Sequence, residues 1–170
     1  MVNNGDVQLM SAQVATTETL QIVVFRLVDK QSQKSEEYGI KIEQVQEIRT
    51  LESITRIPKT KPHVRGVTNL RGKIISIIDV KEKLGFTSSE ITPGSRILVA
   101  EVREILTGLL VDEVDQVIRI PLGNIESKPS GTSDSQYVQG IAKMQDRLII
   151  ILDLEKLLDE IDGKQITGEN

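Results

Sequence analysis

The chain has 170 residues, 38% hydrophobic and 27% charged, which is the balance of a soluble globular protein able to bury one ordinary core or two small barrels sharing a seam. It has no cysteine, which excludes disulfides, thiolate metal sites, iron–sulfur clusters and cysteine nucleophiles and permits a reducing compartment, the cytoplasm by default. With 21 Lys and Arg against 25 Asp and Glu the net charge is −4, and there are two Tyr, two Phe and no Trp, so neither phosphate attraction nor base stacking favours nucleic-acid binding.

Met1 to Thr17 has no basic or continuous apolar region of a secretion signal and reads as a flexible tail. Leu20 to Val28 is apolar and β-branched, Tyr38 to Ile42 alternates, and Lys73 to Ile78 is nearly all isoleucine, so each predicts a strand. Asp79-Val80-Lys81-Glu82 forms a capping box for a short helix that runs to Leu84 and stops at Gly85. Phe86 to Ser95, rich in Ser, Thr, Gly and Pro, is a connection. Strands are predicted again over Arg96 to Val102, Leu106 to Val111, Val114 to Ile120 and Arg147 to Leu152. Asp153 then caps a helix from Leu154 to Ile161, with Leu154, Leu157, Leu158 and Ile161 in one apolar stripe that should pack. The end, residues 163–170, reads as a mobile tail. The longest apolar run, Leu148 to Leu152, is far short of the ~20 residues that cross a bilayer, so direct membrane insertion is not expected.

The second half repeats the first. Val64 to Asp79 lies over Val138 to Asp153 at an offset of 74 residues, and Gly39 to Ile48 lies over Gly108 to Val117 at an offset of 69. Short strands at this spacing, punctuated by Gly and Pro and not alternating with long helices, point to barrels or sandwiches. The apolar runs Ile74 to Ile78 and Leu148 to Leu152 predict burial on both faces, as where two small barrels share a core.

No reactive constellation stands out. His63 is the only histidine and reads as a solvated loop residue, because one His without Cys cannot assemble a structural zinc site. Asp79 and Asp153 could divide acid and base roles, but their repeat positions are already explained as helix caps. Phosphate-binding glycine loops and the serine elbow are missing. Gly66 recurs as Gly140, which points to a backbone or packing requirement, whereas Arg71 becomes Gln145 and Glu47 becomes Gln116. The repeat does not demand either charge, and the residues alone leave solvated side chains and partner contacts both open.

Five ordered blocks carry a resemblance: Tyr38-Gly39-Ile40, Val45-Gln46-Glu47-Ile48-Arg49, Thr55-Arg56-Ile57-Pro58, Arg65 to Gly72, and Ile78-Asp79. With Gly108 to Asp112, Gly140-Ile141 and Leu152 to Leu158 they resemble the CheW-like domains of bacterial chemotaxis, over residues 20–160. The resemblance implies an all-β fold with short helices: two SH3-like five-stranded barrels sharing a core, plus a C-terminal helix. It sets a domain over residues 18–162, with pseudo-repeat halves of roughly 18–90 and 91–162 able to exchange strands. No enzyme activity and no cofactor are implied. The implied function is a cytoplasmic adaptor, recruited to membrane-associated receptor arrays, with the same module in a CheV-type or other two-component pathway as the alternative. Its implied partners are the regulatory domain of the histidine kinase CheA and the cytoplasmic tip of methyl-accepting chemoreceptors. Val45, Glu47, Gly66, Asn69 and Arg71 would lie at or beside the receptor-binding groove between the barrels, and the loop from Asn124 to Tyr137, with Ile125 and Lys128, would meet the kinase.

Overall fold

The computed structural model describes residues 18–128 and 136–165, with side chains through Asp159. The expected N-terminal tail, residues 166–170 of the expected C-terminal tail, the Ile161 side chain of the apolar stripe and residues 129–135 of the kinase loop lie outside what is described, while residues 163–165 of that tail are helical.

The first sequence copy supplies β1 (Thr19–Asp29), β2 (Lys34–Lys41), β3 (Val45–Thr50), β4 (Val64–Leu70), β5 (Lys73–Asp79) and a short helix α1 (Val80–Lys83). The second supplies β6 (Arg96–Val102), β7 (Ile105–Val111), β8 (Glu113–Pro121), β9 (Ile125–Glu126), β10 (Val138–Met144), β11 (Arg147–Leu152) and α2 (Leu154–Gln165). The last helix therefore runs beyond Ile161, where the apolar stripe ends.

The two sheets cut across the two copies. One orders its strands β3-β6-β7-β5-β4 and the other β8-β1-β2-β11-β10-β9, so each copy's leading hairpin lies in the other copy's barrel. The joins are equivalent: β5 pairs with β7 in parallel, and β11 pairs with β2 in parallel. The second barrel counts a sixth strand because Ile125 and Glu126 form a short ladder on β10, where the first barrel has a single bridge from Thr55 to Val67.

Three cores follow from strand alternation. On β6, Ile97 and Val99 face the interior of the first barrel while Leu98, Ala100 and Val102 face the seam between the barrels. On β1, Ile22 and Val24 fill the second barrel while Val23, Phe25 and Leu27 face the same seam. Leu154, Leu157 and Leu158 of α2 close one side of that shared core. Each fully buried aliphatic side chain there contributes about 1.5–3 kcal/mol.

Burial on both faces holds only for the far ends of the isoleucine-rich strands. Ile77, Ile78, Ile151 and Leu152 are buried, but Ile74 is 68% and Leu148 is 62% exposed. Both sit one residue into the strand after a hairpin turn, past the edge of the seam, so the apolar run extends further than its cover.

Lys81 and Asp79 are buried with their charges paired. Lys81 is 2% exposed; its Nζ donates to the Val28 carbonyl at 2.7 Å and lies 3.0 Å from Asp112 Oδ2, which also accepts the Val28 N–H. Asp79 is fully buried and accepts from the backbone N–H groups of Lys81 and Glu82, the N-cap half of the expected capping box; Glu82 does not close the box, because the Asp79 N–H goes to the His63 carbonyl. It also takes the Ser89 N–H and hydroxyl and Arg65 Nη1, which ties the 86–95 connection to the barrel. Asp153 accepts the Lys156 N–H at 3.2 Å, the same cap with fewer partners. His63 is not a solvated residue: it is 8% exposed, and its carbonyl accepts the Asp79 N–H at 2.7 Å. The strand ladder folds its backbone inward there.

Candidate functional site

In the first barrel β3 and β4 end the strand order, so their outer backbone groups need another way to close. Thr55 and Val67 exchange two backbone hydrogen bonds of 2.8 Å, and Thr68 Oγ1 donates to the Ser53 carbonyl at 3.1 Å. Beyond that bridge the closure passes to side chains: Arg71 at the β4–β5 turn donates to Glu47 on β3. Glu47 also receives Arg49 Nη1 at 3.3 Å, and Arg49 Nη2 reaches Glu52 at 2.9 Å. A row of alternating charges therefore runs along the barrel seam.

The backbone of β3 explains this placement. Strand alternation leaves Val45, Glu47 and Arg49 half-buried and turns Ile48 outward, 43% exposed, with a register shift against β6 between Val45 and Glu47. Inward-pointing charges on an end strand discourage further strand pairing. The β4–β5 turn is equally determined. Arg71 has φ 50° and Gly72 φ 86°, the two positive values of a tight hairpin turn, and Asn69 Oδ1 accepts the Gly72 N–H at 2.9 Å. Gln145 stands at the same turn position with φ 55°, so the repeat shares the backbone and not the guanidinium.

Glu47 and Arg71 are thus brought together, and Asn69 shapes the turn that carries the arginine. Glu47 is no solvated carboxylate, its side chain being 25% exposed, while Arg71 remains 71% exposed and presents its outer edge to solvent. Gly66 is buried, and its part is in the seam: a Cβ there would lie 2.2 Å from the Thr55 carbonyl oxygen. Val45 packs against the shared core. Ile125 packs against the core of the second barrel and is half-buried, as is Lys128, so these two stand apart from the Glu47–Arg71 seam.

Sequence reasoning missed Ile48, Ile74 and Leu148. Asn69 pairs across the hairpin with Ile74, which places an exposed apolar side chain beside the charged seam. The 74-residue offset aligns Ile74 with Leu148, but an unbroken apolar strand by itself predicts cover on both faces.

The second barrel has its own charge cluster. Arg147 at the start of β11 donates to Glu37 through Nε at 3.1 Å and to Asp115 at 3.3 Å. The Arg147 guanidinium holds the Glu37 carboxyl below the usual carboxylate range. The mouth of the first barrel, between Arg49, Ile54, Thr68 and Leu70, holds about 20 Å³, room for about one water. What that barrel offers is an outer surface.

Twin SH3-like barrels with a shared core, an ion-paired outer seam and no metal-holding cluster among the described residues have the architecture of a scaffold module. The description of the CheW-like domain matches residues 21–162, and the chain belongs to the CheW family of chemotaxis scaffold proteins. It is 35% identical to the chemotaxis protein CheW of Bacillus subtilis (strain 168) over 153 residues, covering 89% of this chain and 93% of that one. It is 36% identical over 126 residues to the chemotaxis protein CheW of Klebsiella aerogenes, covering 73% and 76% of the two chains. The crystal structure of the scaffolding protein TtCheW from Thermoanaerobacter tengcongensis superposes with a TM-score of 0.75 at 40% identity, over 84% of this chain and 94% of the other. Among the described residues no helix is long and apolar enough to cross a membrane.

Proposed function

We propose that this protein is a non-enzymatic cytoplasmic adaptor that holds the kinase CheA against the tip of methyl-accepting chemoreceptors. The observation that carries the reading is the seam of the first barrel, where Arg71 is ion-paired to Glu47 yet 71% exposed, with exposed Ile48 and Ile74 alongside. Apolar side chains flanked by a fixed charge pair supply contact area and register together. Glu47, Asn69 and Arg71 touch the receptor in this reading, and Gly66 and Val45 act on it by holding the seam. Leu148, at the equivalent place on the second barrel, together with Ile125 and Lys128, forms the kinase side. The kinase's regulatory domain is itself CheW-like, so barrel ends can meet barrel ends.

No chemical step is needed. An adaptor that binds both partners raises the effective concentration of each beside the other, and it passes a signal when its two interfaces favour one arrangement of the pair. Arg71→Ala should weaken capture of a receptor cytoplasmic fragment by about 1–3 kcal/mol. The melting temperature should move by no more than ~3 °C, because an exposed ion pair contributes at most about 1 kcal/mol. Kinase activity measured with CheA, receptor fragment and each variant tests the reading: undiminished coupling in Arg71→Ala and Ile74→Glu refutes this seam as the receptor side.

A further inference from the structure

Residues 53–78 contain six of the chain's 21 Lys and Arg and none of its 25 Asp and Glu, an acid-free stretch in a protein of net charge −4. Two of those cations, Arg65 and Arg71, are held by Asp79 and Glu47. The connection between β3 and β4 carries others, Arg56, Lys59 and Lys61, around a concavity of about 510 Å³ that Ile57, Pro58 and Pro62 also line and that Arg65 borders. Neither Glu47, Asn69 nor Arg71 lines it.

Three features make this concavity a built surface. Its backbone is fixed at both ends: Thr55 bridges to Val67, the Val64 N–H bonds to the Lys61 carbonyl at 3.0 Å, and Thr60 Oγ1 donates to the Ile57 carbonyl at 3.3 Å. Lys59 holds φ 61°, a left-handed conformation that lysine rarely adopts. Among the described residues neither Arg56 nor Lys59 has a carboxylate within ion-pair distance, and Ile57 between them is 44% exposed.

We infer that this concavity is a second docking site, for an acidic protein segment that places an apolar side chain on Ile57 between carboxylates facing Arg56 and Lys59. Charge complementarity selects the sign of the partner, and the surrounding net negative charge restricts its length. A long polyanion would have to lie along the acidic remainder of the chain, whereas two or three carboxylates fit within the basic stretch. No aromatic residue lines the concavity to stack a base, and Pro58, Pro62 and Ile57 give its lining apolar surface that suits a peptide side chain.

The test uses the full chain and a fluorescein-labelled synthetic peptide with one leucine flanked on each side by two glutamates, followed by fluorescence anisotropy. Binding should weaken at least fivefold between about 0.1 and 0.5 M salt, as charge screening requires. The double variant Arg56→Glu/Lys59→Glu should lose at least tenfold in affinity with an unchanged melting curve, and replacing the peptide's leucine by serine should cost about threefold. Lys73→Glu, an exposed cation of the same stretch that does not line the concavity, should change affinity less than twofold. The inference is overturned if the double variant binds like the parent, if Lys73→Glu loses as much as the double variant, or if phosphatidylserine vesicles or polyphosphate bind as tightly as the peptide.

Discussion

Replacing Gly66 by alanine should destabilise the protein far more than the same change at Gly140, although the repeat superposes the two. At Gly66 a Cβ would sit 2.2 Å from the Thr55 carbonyl oxygen and 2.9 Å from Ile54 Cγ2, and φ is +145°. The strained backbone costs about 1–3 kcal/mol. Relief by moving Thr55 gives up its two bridge hydrogen bonds to Val67, about 0.5–1.5 kcal/mol each. Together these come to about 2–6 kcal/mol, whose midpoint corresponds to roughly 10 °C in melting temperature for a chain of this size. At Gly140 the nearest atoms are the Glu126 carbonyl oxygen at 3.0 Å and Ile125 Cγ2 at 3.1 Å, and the backbone is outside the left-handed region. Shifts of a few tenths of an ångström suffice there, and the stiffer unfolded chain offsets part of the cost, leaving about 1 kcal/mol or less. Thermal and urea melts of both variants read the difference directly. If the two melt within about 2 °C of each other, the crossing carbonyl is not what requires glycine at position 66. Receptor capture should fall in Gly66→Ala at temperatures where the protein is still folded, since the displaced strand carries the seam.

Two further expectations rest on paired carboxylates. Asp79→Ala should cost about 3–5 kcal/mol, because it strips a fully buried acceptor from α1, Ser89 and Arg65, whereas Asp153→Ala removes one cap bond and should cost about 1 kcal/mol; parallel urea melts compare them. Glu37 has its carboxyl lowered from an ordinary value of 4.5 by Arg147, so its contribution is present above that value and is lost as pH falls through the lower folded value. The gap in stability between parent and Glu37→Gln should therefore be widest near neutrality and shrink below about pH 4, and a gap that stays constant down to about pH 2 would refute the pairing.

What could be read from the sequence was local or repeated. Asp79 and Gly85 announce a helix start and stop within seven residues, and the structure has both, with Asp79 as the N-cap and Gly85 turning the chain out of the helix. The duplicated Gly66 and Gly140 pointed to a packing constraint, and the carbonyl of a crossing strand meets each of them. Hairpin exchange left no local mark, because β5 and β7 carry the same apolar pattern whichever copy they pair with. The Arg71–Glu47 contact was equally hidden: the residues are 24 positions apart and come together through the curl of a whole barrel. Ile74 was read as buried because a run of isoleucines tells how hydrophobic a strand is and not where its neighbours stop.

The reciprocal hairpins have a consequence for how the molecule comes apart. With β1 and β2 in one sheet and β3, β4 and β5 in the other, a fragment cut within the 86–95 connection would own no complete sheet, and neither would its complement. The halves must associate before either is stable, so the two barrels melt in one transition despite their separate interiors. The linkage extends to the buried Lys81, which joins α1 to the end of β1 and leaves no free hinge along that side of the junction.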